Sequence, residues 1–230
     1  MQINQFRICL YFVVFCVSLV ITLSENNSKF IKFTKESDLA GFICPEQHAL
    51  YFKDKMSISQ CLATCADFKG CFSVFLHQES SRCVGCKDKY LTSDDVPALL
   101  GTTFFRRRSY LVVTEKKKWF DAKNHCSELG GHLLDIKSQE ENAFIDKLGV
   151  LKESIWIGAT VIQNEHIFIW EDGSRVDEYF ENWLLHEPNN LDGKENCLSV
   201  FGSTHVTSQK RKKWNDAPCN VAMSSVCEFD

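Results

Sequence analysis

The chain alternates between apolar and polar stretches, and the lengths of these stretches predict its elements. Ile8 to Leu23 form an apolar run behind Arg7 and ahead of polar Ser24-Glu25-Asn26-Asn27-Ser28. The run is shorter than the roughly 18 residues of a membrane span, and small residues stand near its end, so it reads as a signal peptide cleaved near Ser24. Nothing later is long and apolar enough to hold the mature chain in a bilayer. Met56 to Phe68 has helical spacing, with Ile58, Leu62 and Ala63 beside Cys61 and Cys65, cysteines one turn apart on one face. Cys71 to Leu76 alternates like a strand, and Cys83-Val84-Gly85-Cys86 follows. A helix pinned by disulfides to a small sheet is expected here. Thr103 to Arg108 closes this region, and its three arginines read as a solvated strand end, a proteolytic linker being the alternative.

Beyond that point Tyr110 to Val113 predicts a strand. Lys117 to Leu129 predicts a helix, with Trp119, Phe120, Ala122, Cys126 and Leu129 at helical spacing and Gly130-Gly131 closing it. Ser138-Gln139-Glu140-Glu141 is a capping-box pattern, ahead of Ala143, Phe144, Ile145 and Leu148, and predicts a second helix. From Trp156 onward short strands, tryptophans and polar loops alternate, so the fold class is α+β with its long irregular part in the C-terminal half. The division expected is a signal peptide at 1–24, a cysteine-rich domain at 25–109 and a larger domain at 110–230.

Composition sharpens this picture. A hydrophobic content of 44% suits a globular chain, and a net charge of −4 gives no reason to expect a nucleic-acid partner. Two of the 12 cysteines, Cys9 and Cys16, leave with the signal. The rest fall into two even groups: Cys44, Cys61, Cys65, Cys71, Cys83 and Cys86, then Cys126, Cys197, Cys219 and Cys227. In an oxidising compartment their default is disulfide, and spacing alone leaves the pairing open.

Two polar clusters carry chemistry. Glu187-Pro188-Asn189-Asn190 precedes Glu195-Asn196-Cys197, and Trp214-Asn215-Asp216 precedes Cys219. These supply hard oxygen donors of the kind calcium takes, whereas zinc prefers His and Cys. Seen alone, a loop rich in Asn and Glu reads more readily as a solvated loop than as a metal site. The wider pattern changes that reading, because Trp156-Ile157-Gly158, Trp170-Glu171-Asp172-Gly173-Ser174, Phe180-Glu181-Asn182-Trp183, the Glu-Pro-Asn and Trp-Asn-Asp triplets and four cysteines in order resemble the C-type lectin family over residues 110–230.

That resemblance implies a lectin-like domain of two helices, small antiparallel sheets and a long calcium-binding loop. It implies the bridges Cys126–Cys227 and Cys197–Cys219. It implies Glu187, Asn189, Glu195, Asn215 and Asp216 as calcium ligands, the Asp216 backbone carbonyl included, and a cis Pro188. Two vicinal sugar hydroxyls are then expected to complete the shell, Glu187 with Asn189 holding one and Glu195 with Asn215 the other. The Glu-Pro-Asn order accompanies mannose, fucose and N-acetylglucosamine in this family. An auxiliary calcium site is expected to be impaired, with Val161, Asn190 and Asn196 where carboxylates are common.

For residues 30–109, Cys-x3-Cys-x5-Cys followed by Phe-Ser-Val-Phe resembles the PAN/apple fold, which implies Cys44–Cys86, Cys61–Cys83 and Cys65–Cys71. The resulting expectation is a secreted, non-enzymatic, calcium-dependent lectin for mannose-type glycans, self or microbial, with homo-oligomers as its route to avidity. Rival readings are a calcium-free protein-binding module of the same fold and a glycosidase using Glu187 and Glu195 as acid and base. Cys83 to Cys86 could alternatively be a redox pair, Lys210-Arg211-Lys212-Lys213 a contact for anionic glycan or a solvated loop, and Asn26-Asn27-Ser28 a glycosylation acceptor.

Overall fold

The fold is that of a computed structural model, which describes residues 7–13, 16–25, 27–88, 91–148, 152–162, 167–202 and 211–229. The chain divides into two compact units, one holding residues 29–109 with the N-terminal strands, the other residues 110–229. The stretch read as a leader contains two antiparallel strands, β1 (Arg7–Val13) and β2 (Cys16–Glu25), ahead of β3 (Asn27–Glu36). No helix is long and apolar enough to cross a membrane among the described residues.

In the first unit β4 (Ala49–Lys53), β6 (Arg82–Cys86), β5 (Ser73–His77) and the start of β7 (Thr102–Lys117) lie side by side as antiparallel neighbours. The two-residue period of a strand sends alternate side chains to opposite faces. Val74, Leu76, Cys83 and Phe105 accordingly join one buried cluster with Cys61, Leu62 and Cys65 of helix α1 (Ile58–Asp67). Phe75, Val84, Cys86 and Phe104 join another with Leu39, Cys44, Leu91 and Val96. Helix α1 starts on a complete capping box: Ser57 Oγ accepts from the Gln60 N–H, and Gln60 Oε1 accepts from the Ser57 N–H at 2.9 Å. Disulfides join Cys61 to Cys83, Cys65 to Cys71 and Cys44 to Cys86, so Cys83 and Cys86 each pair elsewhere and form no redox couple with one another.

The three arginines differ from the expected solvated strand end. They are half-buried in the middle of one 16-residue strand, β7. Arg106 Nε donates to Glu36 at 2.7 Å, and Arg107 Nη1 donates to the Cys71 carbonyl at 2.8 Å. These partners are distant in sequence, so the local pattern shows only the charge.

In the second unit helix α2 (Trp119–Glu128) buries Trp119, Ala122 and Cys126. Strand β8 (His132–Leu133) pairs with β13 (Met223–Phe229). Strand β9 (Ile155–Val161) runs parallel to β13 and antiparallel to β10 (Phe168–Trp170) and β11 (Cys197–Val200), and β11 pairs with β12 (Trp214–Ala217). Gly158 allows β9 to pass close to residues 133–135, since a Cβ there would stand 2.7 Å from the Leu133 carbonyl oxygen. Cys126–Cys227 ties α2 to the last strand across 101 residues, a closure worth about 4–5 kcal/mol in the chain-entropy account. Cys197–Cys219 closes the loop between β11 and the turn after β12.

The second predicted helix is shorter than its pattern. Helix α3 spans Gln139–Phe144 and tightens into a 3-10 turn at Ile145–Leu148. Its capping box is half formed: Ser138 Oγ accepts from the Glu141 N–H, but Glu141 reaches past Ser138 to the Lys137 N–H at 2.8 Å. The buried face includes Asn142, Phe144 and Ile145, while Ala143 is exposed.

Candidate functional site

Both polar clusters of the sequence meet around β12. Strand alternation buries Trp214 and Asp216 and leaves Asn215 half-buried between them. Trp214 anchors the region. It makes edge contacts with Trp170, Phe180 and Trp183 at 5.8–6.0 Å, each worth about 0.5–1.5 kcal/mol beyond area burial. Its ring N–H donates to Asn142 Oδ1 at 3.1 Å, and its backbone bonds Asn182 and Leu184, the start of the long loop.

From there the loop turns back on itself. The Glu187–Pro188 peptide is cis, and Asn190 and Asp192 adopt left-handed backbone, which their short polar side chains tolerate. Three successive N–H groups then meet carboxylates: Asn189 and Asn190 donate to Asp216 at 3.2 and 2.7 Å, and Leu191 donates to Glu195 at 3.1 Å. Asn190 Oδ1 accepts from the Glu195 N–H at 3.0 Å. A carboxylate as buried as Asp216 needs such donors, because an unpaired buried charge is very costly.

Glu187 completes the acidic group. Burial, then a hydrogen bond and the charge of Asp216, push its carboxyl up to about 7. Burial and the Asp216 charge also raise Glu195. Glu187 Oε2 is enclosed and has no protein partner.

Asn189 is exposed at the loop surface, and the Asn215 amide donates to the Asp216 carbonyl oxygen. Asp216 Oδ1 and Oδ2, the Asp216 carbonyl and Glu195 Oε2 therefore all accept hydrogen bonds within the protein. Among the described residues no three His, Cys, Asp or Glu side chains already surround a common point. Two of the five donors are amides, and the acids lean on the loop's own N–H groups. In composition the set is hard oxygen throughout, and Glu187 Oε2 is enclosed without a hydrogen-bond partner although the carboxyl is otherwise engaged by Asn189 and Asp216, a donor set that fits a hard divalent cation.

Two further side chains hold this arrangement; Asn142 escapes motif reading, and Asn182 stands in the Phe180–Trp183 motif without its bonding being legible there. Asn142 is a polar residue on a buried helix face, and that placement is its only signal. Asn182 bridges the loop, donating to the Lys212 carbonyl at 2.7 Å and accepting from Lys213 Nζ at 2.6 Å. Lys213 is thus a structural clamp, while Lys210 lies outside the described residues.

Comparisons with known proteins follow from the same stretch. The model of the Lectin C-type domain matches residues 115–229, half of the 230-residue chain. C-type mannose receptor 2 of Mus musculus is 36% identical over 126 residues, 54% of this chain and 8% of that protein. The chain therefore spans a small part of the receptor. Lactose-binding lectin l-2 of Anguilla japonica is 33% identical over 125 residues, which covers 53% of this chain and 72% of that one. The solved carbohydrate-recognition domain of the mouse scavenger receptor C-type lectin is 33% identical, covering 54% of this chain and 90% of that one with a TM-score of 0.46.

Proposed function

The chain belongs to the C-type lectin family, and on that premise we propose that residues 110–229 bind glycans of the mannose, fucose and N-acetylglucosamine class in a calcium-dependent way. The observation that carries this reading is the enclosed, unpartnered Glu187 oxygen in a group of five oxygen-bearing residues. Glu187, Asn189, Glu195, Asn215 and Asp216 are the residues that would hold calcium. When bound, the ion supplies a positive centre on which two neighbouring sugar hydroxyls can rest. The side chains do the reading: a carboxylate accepts the hydroxyl proton, and an Asn amide N–H donates to the hydroxyl oxygen. The names of the relatives point to mannose for one and lactose for another, so the preference rests on the order Glu-Pro-Asn in this chain.

We read the first unit, with its helix, small sheet and three disulfides, as a PAN/apple-like module. The whole chain is read as a secreted, self-associating lectin that recognises self or microbial surfaces through several weak sites. No catalytic role is assigned to Glu187 or Glu195.

One observation favours a calcium-free module instead. The Asn215 amide and the loop N–H groups already occupy oxygens that the ion would use. A glycan array probed with the secreted protein in calcium and again in chelator separates the two. Mannose-class binding lost in chelator supports the lectin reading, and undiminished binding in excess chelator overturns it. Calcium is expected to act at roughly 10⁻⁴–10⁻³ M, as in extracellular sites.

A further inference from the structure

The loop that carries Glu187 to Glu195 has a second side. Asn190, Lys194 and Asn196 wall a cleft of about 770 Å³ whose other walls include Phe120, Pro218 and Asn220. That volume lies within the range of small-ligand sites, roughly 300–1,000 Å³. Its frame is well fixed. The Asn196 carbonyl accepts from the Thr160 hydroxyl at 2.8 Å and the Val161 N–H at 3.0 Å, and Cys219 is held by its disulfide to Cys197. The Trp119 N–H donates to the Cys219 carbonyl at 3.0 Å, which sets Phe120 at the rim.

The lining has a distinct chemistry. Among the described residues no Asp, Glu or His lines the cleft, and Lys194 is the one charged residue there. Asn190, Asn196 and Asn220 are neutral amides, and of these Asn190 already accepts from the Glu195 N–H. Phe120 is 56% exposed, although the tryptophan beside it is buried. An exposed phenyl ring among neutral amides suits the C–H face of a pyranose ring, with amides left for its hydroxyls. A single ammonium suits one negative substituent. The described lining holds none of the carboxylates of the Glu187 group, and Asn190, which bonds Asp216 and Glu195, is the residue common to both.

We propose that this cleft is a second carbohydrate subsite, taking a pyranose residue that bears a carboxylate. It rests on the lectin reading for its biological meaning but not for its test, because none of its lining residues is an expected calcium ligand. Phe120 stacks against the sugar, Lys194 meets the carboxylate, and the Asn side chains hold hydroxyls.

The test titrates the full-length secreted protein with methyl β-D-glucuronide in excess chelator, following backbone amide signals by NMR. Shifts are expected at Lys194, Asn196 and Asn220, with dissociation in the millimolar range. Phe120→Ala should weaken binding about threefold to tenfold, the loss of one ring contact, and Phe120→Tyr should restore it. Lys194→Gln should bring the glucuronide down to the affinity of neutral methyl β-D-glucoside. Absence of shifts at the cleft, equal binding of the neutral and acidic sugars by the unaltered protein, or indifference to Phe120→Ala would each overturn the proposal. Mannose binding in calcium, measured on the same samples, reports separately on the Glu187 site and should not change in any of the three variants.

Discussion

Asp135 offers a direct test of how the second unit handles a buried charge. Its carboxyl lies between β8 and α3 and is pushed up to about 7, chiefly by burial. His132 at 3.9 Å and Lys137 at 3.3 Å pull the other way, and the neighbouring Glu228 charge adds to the rise. Beyond Lys137 stands Asp172, which Lys137 also engages. Asp135 Oδ1 is enclosed without a hydrogen-bond partner, close to the backbone of Gly158. A folded-state value above the unfolded one, about 3.9, means that the fold prefers the neutral acid. Its stability is then fully present below pH 4, declines as pH rises between about 4 and 7, and is lowest above 7.

Replacing Asp135 with Asn keeps the shape and removes the charge at every pH. A rise of about three units at about 1.36 kcal/mol each sets a ceiling near 4 kcal/mol. We expect Asp135→Asn to stabilise the unit by about 2–4 kcal/mol at pH 8 and by nearly nothing at pH 4. Urea unfolding with disulfides intact and chelator present measures this without a contribution from calcium. All five tryptophans of the chain lie in residues 110–229, so their fluorescence reports on this unit alone. A variant whose stability runs parallel to the parent from pH 4 to 8 would refute the reasoning, as would one that is less stable at pH 8.

Two further changes probe the proposed sugar site. The pair Glu187→Gln with Asn189→Asp exchanges donor and acceptor while keeping the charge, so a glycan array should show mannose binding falling about tenfold to a hundredfold, with galactose gaining and calcium retained. Asn142→Leu strands the Trp214 ring N–H, which should cost about 1–3 kcal/mol in urea unfolding and weaken calcium affinity in a titration, because Asn215 and Asp216 follow Trp214 directly.

The legible parts of the fold are those whose cause is local. Helix α2 could be read from Trp119, Ala122 and Cys126, whose spacing puts one face in the core, and its ends fall slightly inside the expected ones, Trp119 for Lys117 and Glu128 for Leu129. Periodicity placed the second helix but overran it. The helix tightens into a 3-10 turn at Ile145–Leu148, and the buried Asn142 answers to Trp214, a residue 72 positions away. The same distance hid the arginines of β7, whose partners at Glu36 and Cys71 belong to other elements. At the site, residue types could be read as a motif. The hydrogen bonds that now hold them could not, since each joins the loop to β12 or to itself. The cleft behind the loop was legible only as Val161, Asn190 and Asn196 standing where carboxylates are common.

Those hydrogen bonds bear on whether the loop can serve a cation at all. A carboxylate offers about four lone-pair positions. Asp216 gives two of them to the Asn189 and Asn190 N–H groups and also bonds the Glu187 carboxyl, and Glu195 gives one to Leu191. The Asp216 carbonyl gives one of its two lone pairs to the Asn215 amide, whose own oxygen is not used in that bond. Each proposed ligand thus keeps acceptor capacity after the loop is satisfied. The N–H groups would then hold the carboxylates in place rather than compete for them. Removing a loop donor should accordingly cost more than removing a rim charge, because it frees the carboxylate that the donor orients. By this count the loop's own hydrogen bonds leave the proposed ligands with acceptor capacity for an ion.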